Sequence, residues 1–307
     1  MLNSDLNRTR RLGVEYEMAV PLVGSGDSNA LRETFARVLT ANGLPCVSRP
    51  YSHAPVPHGI DLAVEHDSSV QGESRYRGIT WHPVELKTRI LNGAEDWERI
   101  VPKALEICRY LGARVTPSCG HHVHVEMTEG RERPETIRSV YNLLHRFEPV
   151  LFGLVAPSRR DNTFCRRMPD RTKLLHRCTS LETYRMALSG WDRNHALNLT
   201  HLVGPSPRIE FRYHQGTIES EKARHWMRLV VRLVDHACQR TCKATPKQLV
   251  GDRRDLERFL VTVGLKVNSK VYAKVSPELR ETGKFLLQRW KRFNDRETEA
   301  GSPNDQT

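Results

Sequence analysis

The chain has 307 residues, of which 38% are hydrophobic and 27% charged, so length and composition predict a globular protein of one large or two modest domains. There is no run of about 18 apolar residues and no apolar N-terminal stretch, so neither a spanning helix nor a secretory signal is expected and the prediction is a cytoplasmic protein without a membrane partner. The net charge of +12 favours anionic partners, such as nucleotides, nucleic acid or acidic peptides, without choosing among them.

The first predicted strand covers residues 12–21, where apolar and polar residues alternate with period two. Glu15 and Glu17 are two residues apart in this strand and therefore point to the same face. A helix is predicted next, from a cap at Asp27 to residue 42, and Gly43 ends it.

An irregular stretch and a second strand follow. Residues 56–70 have no clear period and end in the sequence EHDSSV, which contains Asp67. Residues 79–88 predict a strand that carries Glu85, and residues 95–111 predict a helix.

The third predicted strand covers residues 115–128, in which His122 and His124 share one face. His121 points to the opposite side and is expected to be structural. Histidine is a common metal ligand, but an exposed imidazole or one satisfied in the core remains the alternative for the His-x-His pair.

Helices and a basic stretch occupy the middle of the chain. Residues 134–156 predict an amphipathic helix, and residues 183–188 predict a short one. Between them, residues 159–177 are basic and irregular, which predicts a mobile loop.

The last predicted strand, residues 208–213, carries Glu210 and Arg212 on one face, with a simple ion pair as the alternative to a functional role. Helices are predicted at residues 220–241 and 276–293. Antiparallel-looking strands mixed with helices predict an α+β fold.

The polar strand faces together predict a metal site, although each of them alone is more often a solvated surface. Carboxylate oxygens suit Mg²⁺ or Mn²⁺. Two or three such ions, gathered on a curved sheet, would bridge the phosphates of ATP, and an arginine would contact phosphate or carboxylate. The chain lacks both GxxxxGK[ST] and GxGxxG, so any nucleotide site would have to be centred on metal.

Five segments of the chain resemble, in the same order, the amidoligase family: GVEYEM, DSSV, VELKTRIL, CGHHVHVE and RIEFRYHQGT. A helix with Trp226 follows them, and the resemblance covers residues 10–240. It implies a curved antiparallel sheet with helices packed outside it, a ligase core similar to glutamine synthetase and glutamate–cysteine ligase, with metals and ATP inside the sheet.

The resemblance also implies a role for each matching residue. Arg212 and His124 are implied to be catalytic, and Arg212, His122 and Thr217 to contact ATP. The implied metal ligands are Glu15, Glu17, Asp67, Glu85, His124 and Glu210. His121 and Glu126 depart from the family pattern and leave the substrate contacts open.

The function implied by the resemblance is an ATP-dependent carbon–nitrogen ligase that requires Mg²⁺ or Mn²⁺. A substrate carboxylate would form an acyl phosphate, and an amine would attack it to give an amide. The carboxylate and amine would come from small molecules or peptides, and an amino acid or a peptide is the expected substrate. The catalytic domain is expected at residues 10–244, a C-terminal helical segment at 245–294 and a disordered tail at 295–307.

Two other classes of protein remain open from the sequence. A metal-dependent hydrolase or nuclease would use the same acidic and histidine residues without ATP. A basic nucleic-acid-binding protein would show salt-sensitive binding without turnover. The seven cysteines form no Cys-x-x-Cys pair and are expected to be free thiols in a reducing compartment, and the oligomeric state is not predicted.

Overall fold

The computed structural model of the chain describes residues 5–23, 27–70, 75–76, 79–240, 247–265 and 275–295. The chain forms two compact units. The first, here called the sheet unit, contains Arg8–Glu126 and Glu210–Met227, and the second, the helical unit, contains Met1–Asn7, Met127–Ile209 and Arg228–Thr307. Cys242 and the predicted tail beyond Asp295 lie outside the described residues.

Strands predominate in the first third of the chain and helices after Glu126. The strands found in the described ranges are β1 (Arg11–Val23), β2 (Cys46–Ser48), β3 (Leu62–Glu65), β4 (Arg75–Tyr76), β5 (Ile79–Thr88), β6 (Leu91–Asn92), β7 (Gly120–Glu126), β8 (Leu197–Asn198) and β9 (Arg208–Gln215). The α-helices are α1 (Ser28–Ala41), α2 (Ala94–Tyr110), α3 (Glu129–Glu132), α4 (Glu135–Gly153), α5 (Thr172–His176), α6 (Leu181–Leu188), α7 (Ser220–Gln239), α8 (Arg253–Thr262) and α9 (Pro277–Asn294).

The strands of the sheet unit follow the order β2-β3-β5-β1-β7-β9. The central pairs β3–β5, β1–β5 and β1–β7 are antiparallel, whereas β2 and β3 run parallel. A mostly antiparallel sheet combined with helices confirms the predicted α+β class. No helix within the described ranges is both long and apolar enough to cross a membrane.

One face of the sheet is apolar. Val14, Tyr16 and Met18 of β1 are at most 1% exposed, and Tyr16 and Met18 lie opposite Leu86 and Val84 of β5 on that face. Full burial of such side chains contributes about 1.5–3 kcal/mol each. Because side chains alternate along a strand, this burial leaves Glu15 and Glu17 on the other face.

The helical unit is built around α4, whose residues are buried on most sides. The C-terminal helix α9 is bonded to the end of α4: Arg289 Nε donates to the Leu154 oxygen at 2.7 Å, and Asn294 Nδ2 donates to the Gly153 oxygen at 2.9 Å. Helix α8 reaches the same helix through Phe259, whose ring lies 5.2 Å from that of Phe147. The C-terminal segment is therefore an integral part of this unit.

Residues 159–177 follow a largely irregular course, as predicted, and the mobility of this stretch stays a prediction. A 3-10 helix, Pro157–Arg159, leads into the stretch, which contains helix α5. Arg159 is only 1% exposed, and Arg171 donates to backbone oxygens of Ala187 and Ser189. Arginine side chains thus bond this stretch to backbone carbonyl groups elsewhere in the unit, and such contacts leave no periodic hydrophobic pattern in the sequence.

Candidate active site

The strand register brings acidic and histidine residues together on the polar face of the sheet. Glu85 of β5 lies directly opposite both Glu65 of β3 and Glu17 of β1, and Glu15 lies opposite His122 of β7. Directly opposite residues share a face, and their Cβ atoms are about 4.5–5.5 Å apart. Glu65, Glu85 and Glu17 therefore form a row across three strands, here called the carboxylate row.

The two histidines of β7 contact the glutamates of β1. His122 Nδ1 lies 3.3 Å from Glu15 Oε2, and His122 Nε2 lies 3.4 Å from Glu17 Oε1. His124 Nε2 lies 3.3 Å from the other oxygen of Glu15. Glu210 of β9 completes the group, 3.8 Å from His122 Nδ1.

Three triads have ligand atoms that all lie within 4.8 Å of one another: Glu15–Glu85–His122, Glu15–His124–Glu210 and Glu17–Asp67–Glu85. Glu15 and Glu85 each belong to two of them, so the triads are continuous. Each triad offers carboxylate oxygens, and two of them add one imidazole, a ligand set that fits Mg²⁺ or Mn²⁺. The structure thus gathers all six residues predicted as metal ligands.

The surroundings shift the pKa values of Glu15 and Glu85 in opposite directions. Burial alone would raise the pKa of Glu15, but His124 and His122 hold it well below its usual range. Burial raises the pKa of Glu85 well above its usual range, with a further contribution from Glu15 that Lys87 only partly opposes. Like charges held this close stabilise the neutral form of one partner, and a bound cation would remove that effect.

Arg212 lies beside the triads. Its guanidinium donates to Glu210, and its Nη1 lies 3.5 Å from His122 Nδ1. Burial would lower the pKa of Arg212, but Glu210 and then Glu17 raise it above its ordinary value, so the group stays charged. Burial would raise the pKa of Glu210, but the charge of Arg212 lowers it to about 2.

Thr217 is buried in the turn between β9 and α7. Its hydroxyl accepts a hydrogen bond from the Glu219 backbone at 3.1 Å, at the start of α7. The neighbouring Gly216 donates to the Cys119 oxygen at 2.6 Å, which places this turn next to the beginning of β7.

Two residues that depart from the family pattern have structural partners. His121 is fully buried and stacks on Tyr16 with ring centroids 4.5 Å apart, which confirms that it points away from the glutamates. Glu126 forms an ion pair with Arg11 and belongs to none of the triads.

Three residues of this site were not predicted from the sequence: Gly120, Lys87 and Glu65. Gly120 donates its N–H to Glu17 Oε2 at 2.6 Å, and a Cβ on Gly120 would lie 2.4 Å from His122 Nε2. Lys87 Nζ lies 2.9 Å from Glu65 and 2.8 Å from Glu85. The period of two would have placed Lys87 on the face of Glu85, but the pairing of β3 with β5 has no local sequence signature.

A site of this kind, with clustered carboxylates, histidines and a charged arginine on an antiparallel sheet, has the residue types that can hold divalent cations beside an anionic group. The family model described as "Putative amidoligase enzyme" matches residues 8–234. The chain therefore belongs to the amidoligase family, whose members are ligases, and the predicted resemblance is confirmed.

The sequence matches no curated protein. Among solved structures, the chain is similar to that of the complex between the prokaryotic ubiquitin-like protein Pup and its ligase PafA. The sequences are 8% identical and the TM-score is 0.39. The match covers 98% of this chain and 66% of that chain.

Proposed function

We propose that this protein is an ATP-dependent ligase that joins a carboxylate to an amine through an acyl phosphate and requires Mg²⁺ or Mn²⁺. The observation that carries the proposal is the continuity of the three triads, which share Glu15 and Glu85 and lie beside Arg212. A phosphoryl-transfer site needs several positive charges around one anionic group. Family membership supports ligation as the reaction.

In this proposal the ions are held by the six predicted ligands, Glu15, Glu17, Asp67, Glu85, His124 and Glu210. Divalent ions bound there would neutralise the phosphates of ATP and align the γ-phosphoryl group with the acceptor. Asp67 is oriented for this role by Ser69, whose N–H and hydroxyl both donate to Asp67 Oδ1 at 2.7 Å.

Arg212 and the histidines assist the transfer in the proposed mechanism. The guanidinium of Arg212 stabilises charge on the transferred phosphoryl group, because it remains protonated and offers planar donors. His122 and His124 hold Glu15 between them. Thr217 is assigned to the margin of the nucleotide site.

The proposed reaction has two steps. An oxygen of the substrate carboxylate attacks the γ-phosphorus of ATP, the bond to the β-phosphate oxygen breaks, and ADP leaves. The amine nitrogen then attacks the acyl carbon and loses a proton, and inorganic phosphate leaves with the electron pair of the C–O bond. The products are an amide, ADP and phosphate, and the main contribution of the protein is positioning and electrostatic stabilisation.

An amino acid or a peptide is the proposed carboxylate substrate, and the cytoplasm is the proposed location. The cysteines of the described part of the chain are free, which supports a reducing compartment. A metal-dependent hydrolase would share the triads, but family membership favours the ligase.

The proposal is tested by ADP release from ATP and Mg²⁺ in the presence of pooled amino acids, polyamines and acidic peptides. Glu17→Ala removes a ligand and is expected to abolish substrate-stimulated ADP release while the protein stays folded. Glu126→Ala is the matched control, because Glu126 is a carboxylate paired with Arg11 outside the triads. Full turnover in Glu17→Ala would reject the assignment, and ester or phosphodiester cleavage without ATP would favour the hydrolase.

A further inference from the structure

Lys87 occupies a fixed position next to the candidate active site. Its ammonium nitrogen lies 2.8 Å from Glu85 Oε2, 2.9 Å from Glu65 Oε2 and 3.2 Å from the backbone oxygen of Ser52. The ammonium donates hydrogen bonds to Glu65 and to the Ser52 oxygen, and its contact with Glu85 is an ion pair. Two carboxylates and a carbonyl group therefore surround it.

Glu65 is the buried centre of this arrangement. Its carboxylate is fully inaccessible to solvent, and it accepts from Arg49 Nε at 2.6 Å and from the Ser52 N–H at 3.0 Å. Arg49 also donates to the backbone oxygens of Ala54 and Pro55. The loop formed by these residues is thereby tied to the sheet beside Lys87.

The charges of the carboxylate row require compensation. Glu65, Glu85 and Glu17 lie directly opposite one another, an arrangement that is destabilising for like charges. At the β3 end of the row, Arg49 and Lys87 supply two positive charges. At the β1 end, Glu17 and Asp67 have a geometry that suits a divalent ion.

We propose that Lys87 is a permanent cation of the carboxylate row and thereby limits the number of divalent ions that the site binds. Its ammonium fills the space between Glu65, Glu85 and the Ser52 oxygen. Two carboxylates and a carbonyl are the donors that Mg²⁺ and Mn²⁺ take, so the same oxygens would hold an ion if the ammonium were absent. Lys87 also fixes one oxygen of Glu85, the carboxylate shared by two triads, and is in this sense a positioning residue.

The test counts Mn²⁺ ions bound per chain, from the electron paramagnetic resonance signal of free Mn²⁺, in the full-length protein. Lys87→Ala opens the space and is expected to bind one more Mn²⁺ than the unaltered chain. In Lys87→Ala/Glu65→Gln the count is expected to return to the original value. Arg49→Met, which removes the other cation of Glu65, is expected to reduce thermal stability without changing the count.

An unchanged or lower count in folded Lys87→Ala would overturn the proposal, and Lys87→Ser provides the same comparison if the alanine variant does not fold. The inference rests on the proposed function only for the ions near Glu17. If the unaltered chain binds no Mn²⁺, the proposed function fails, yet one ion gained by Lys87→Ala still supports the role of Lys87. If the unaltered chain binds Mn²⁺ and the variant gains none, only the role of Lys87 fails.

Discussion

The sheet unit and the helical unit use charge in different ways. The sheet unit contains 17 lysines and arginines and 17 aspartates and glutamates, whereas the helical unit contains 31 and 19, so the whole net charge of +12 belongs to the helical unit. Yet the candidate active site lies entirely in the neutral unit. Net charge therefore says little about where the chemistry of this protein is located.

Buried charge has a different arrangement in each unit. In the helical unit, two buried charged groups bond to the backbone: Arg232 Nε donates to the Val263 oxygen at 2.7 Å, and Glu148 accepts from the Met168 N–H at 2.8 Å. In the sheet unit, several carboxylates converge on the same space. A single buried charge satisfied by the backbone is structural, whereas converging like charges indicate a binding site for ions.

Gly120→Ala should give the largest effect and shows whether the site depends on close packing. The new Cβ would lie 2.4 Å from His122 Nε2, and His122, which is buried, would have to move. Displacement of such a group typically costs about 10- to 100-fold in metal affinity, so Mn²⁺ binding measured by titration calorimetry should weaken by that factor. Gly13→Ala is the control, since its Cβ would meet His124 Cβ at an ordinary 3.7 Å; equal affinities in the two variants would contradict the geometry.

Glu148→Ala should produce the opposite pattern, a loss of stability without a loss of metal binding. Glu148 is fully buried, and its removal leaves the Met168 N–H without its acceptor and Gln248 Nε2 without one of its partners. An unsatisfied buried donor costs about 1–3 kcal/mol, which denaturant unfolding would measure. Weaker Mn²⁺ binding in this variant would contradict the prediction, because it would show that Glu148 of the helical unit affects the candidate ion site of the sheet unit.

His236 should make a smaller, pH-dependent contribution within the helical unit. Burial, together with Arg240 and Arg232, lowers the pKa of His236 from 6.5 to about 4. Because the unfolded chain then binds a proton at a higher pH than the folded protein does, this residue destabilises the fold as pH falls below its unfolded pKa. The loss is about 1 kcal/mol by about pH 6 and grows toward the folded pKa.

His236→Phe should lack this part of the pH dependence. We expect the variant to gain stability relative to the unaltered chain as pH falls from about 8 to about 5. Urea denaturation of both proteins across this range measures the difference in their unfolding free energies. A constant difference across that range would mean that His236 keeps its ordinary pKa in the fold.

The elements with a strong local pattern were predicted well. Strand β5 has the predicted bounds, and α1 begins after the predicted cap, Asp27, whose side chain accepts from Asn29 and Ala30. Strand β3, only four residues long, was not predicted, because all its side chains are buried and no alternation remains. Strand β7 begins at Gly120 and not at residue 115, since Cys119 closes a turn onto Thr116.

The sequence by itself determined which residues of the polar strand faces carry ligand groups, because the period of two puts Glu15 with Glu17 and His122 with His124 whatever the rest of the fold does. The tertiary structure alone decided which strands are neighbours. Pairing of β5 with both β1 and β3 creates the carboxylate row and puts Lys87 between Glu65 and Glu85. Strand pairing joins residues far apart in the chain through backbone hydrogen bonds that every residue type can form, so its register is not written in any local sequence pattern.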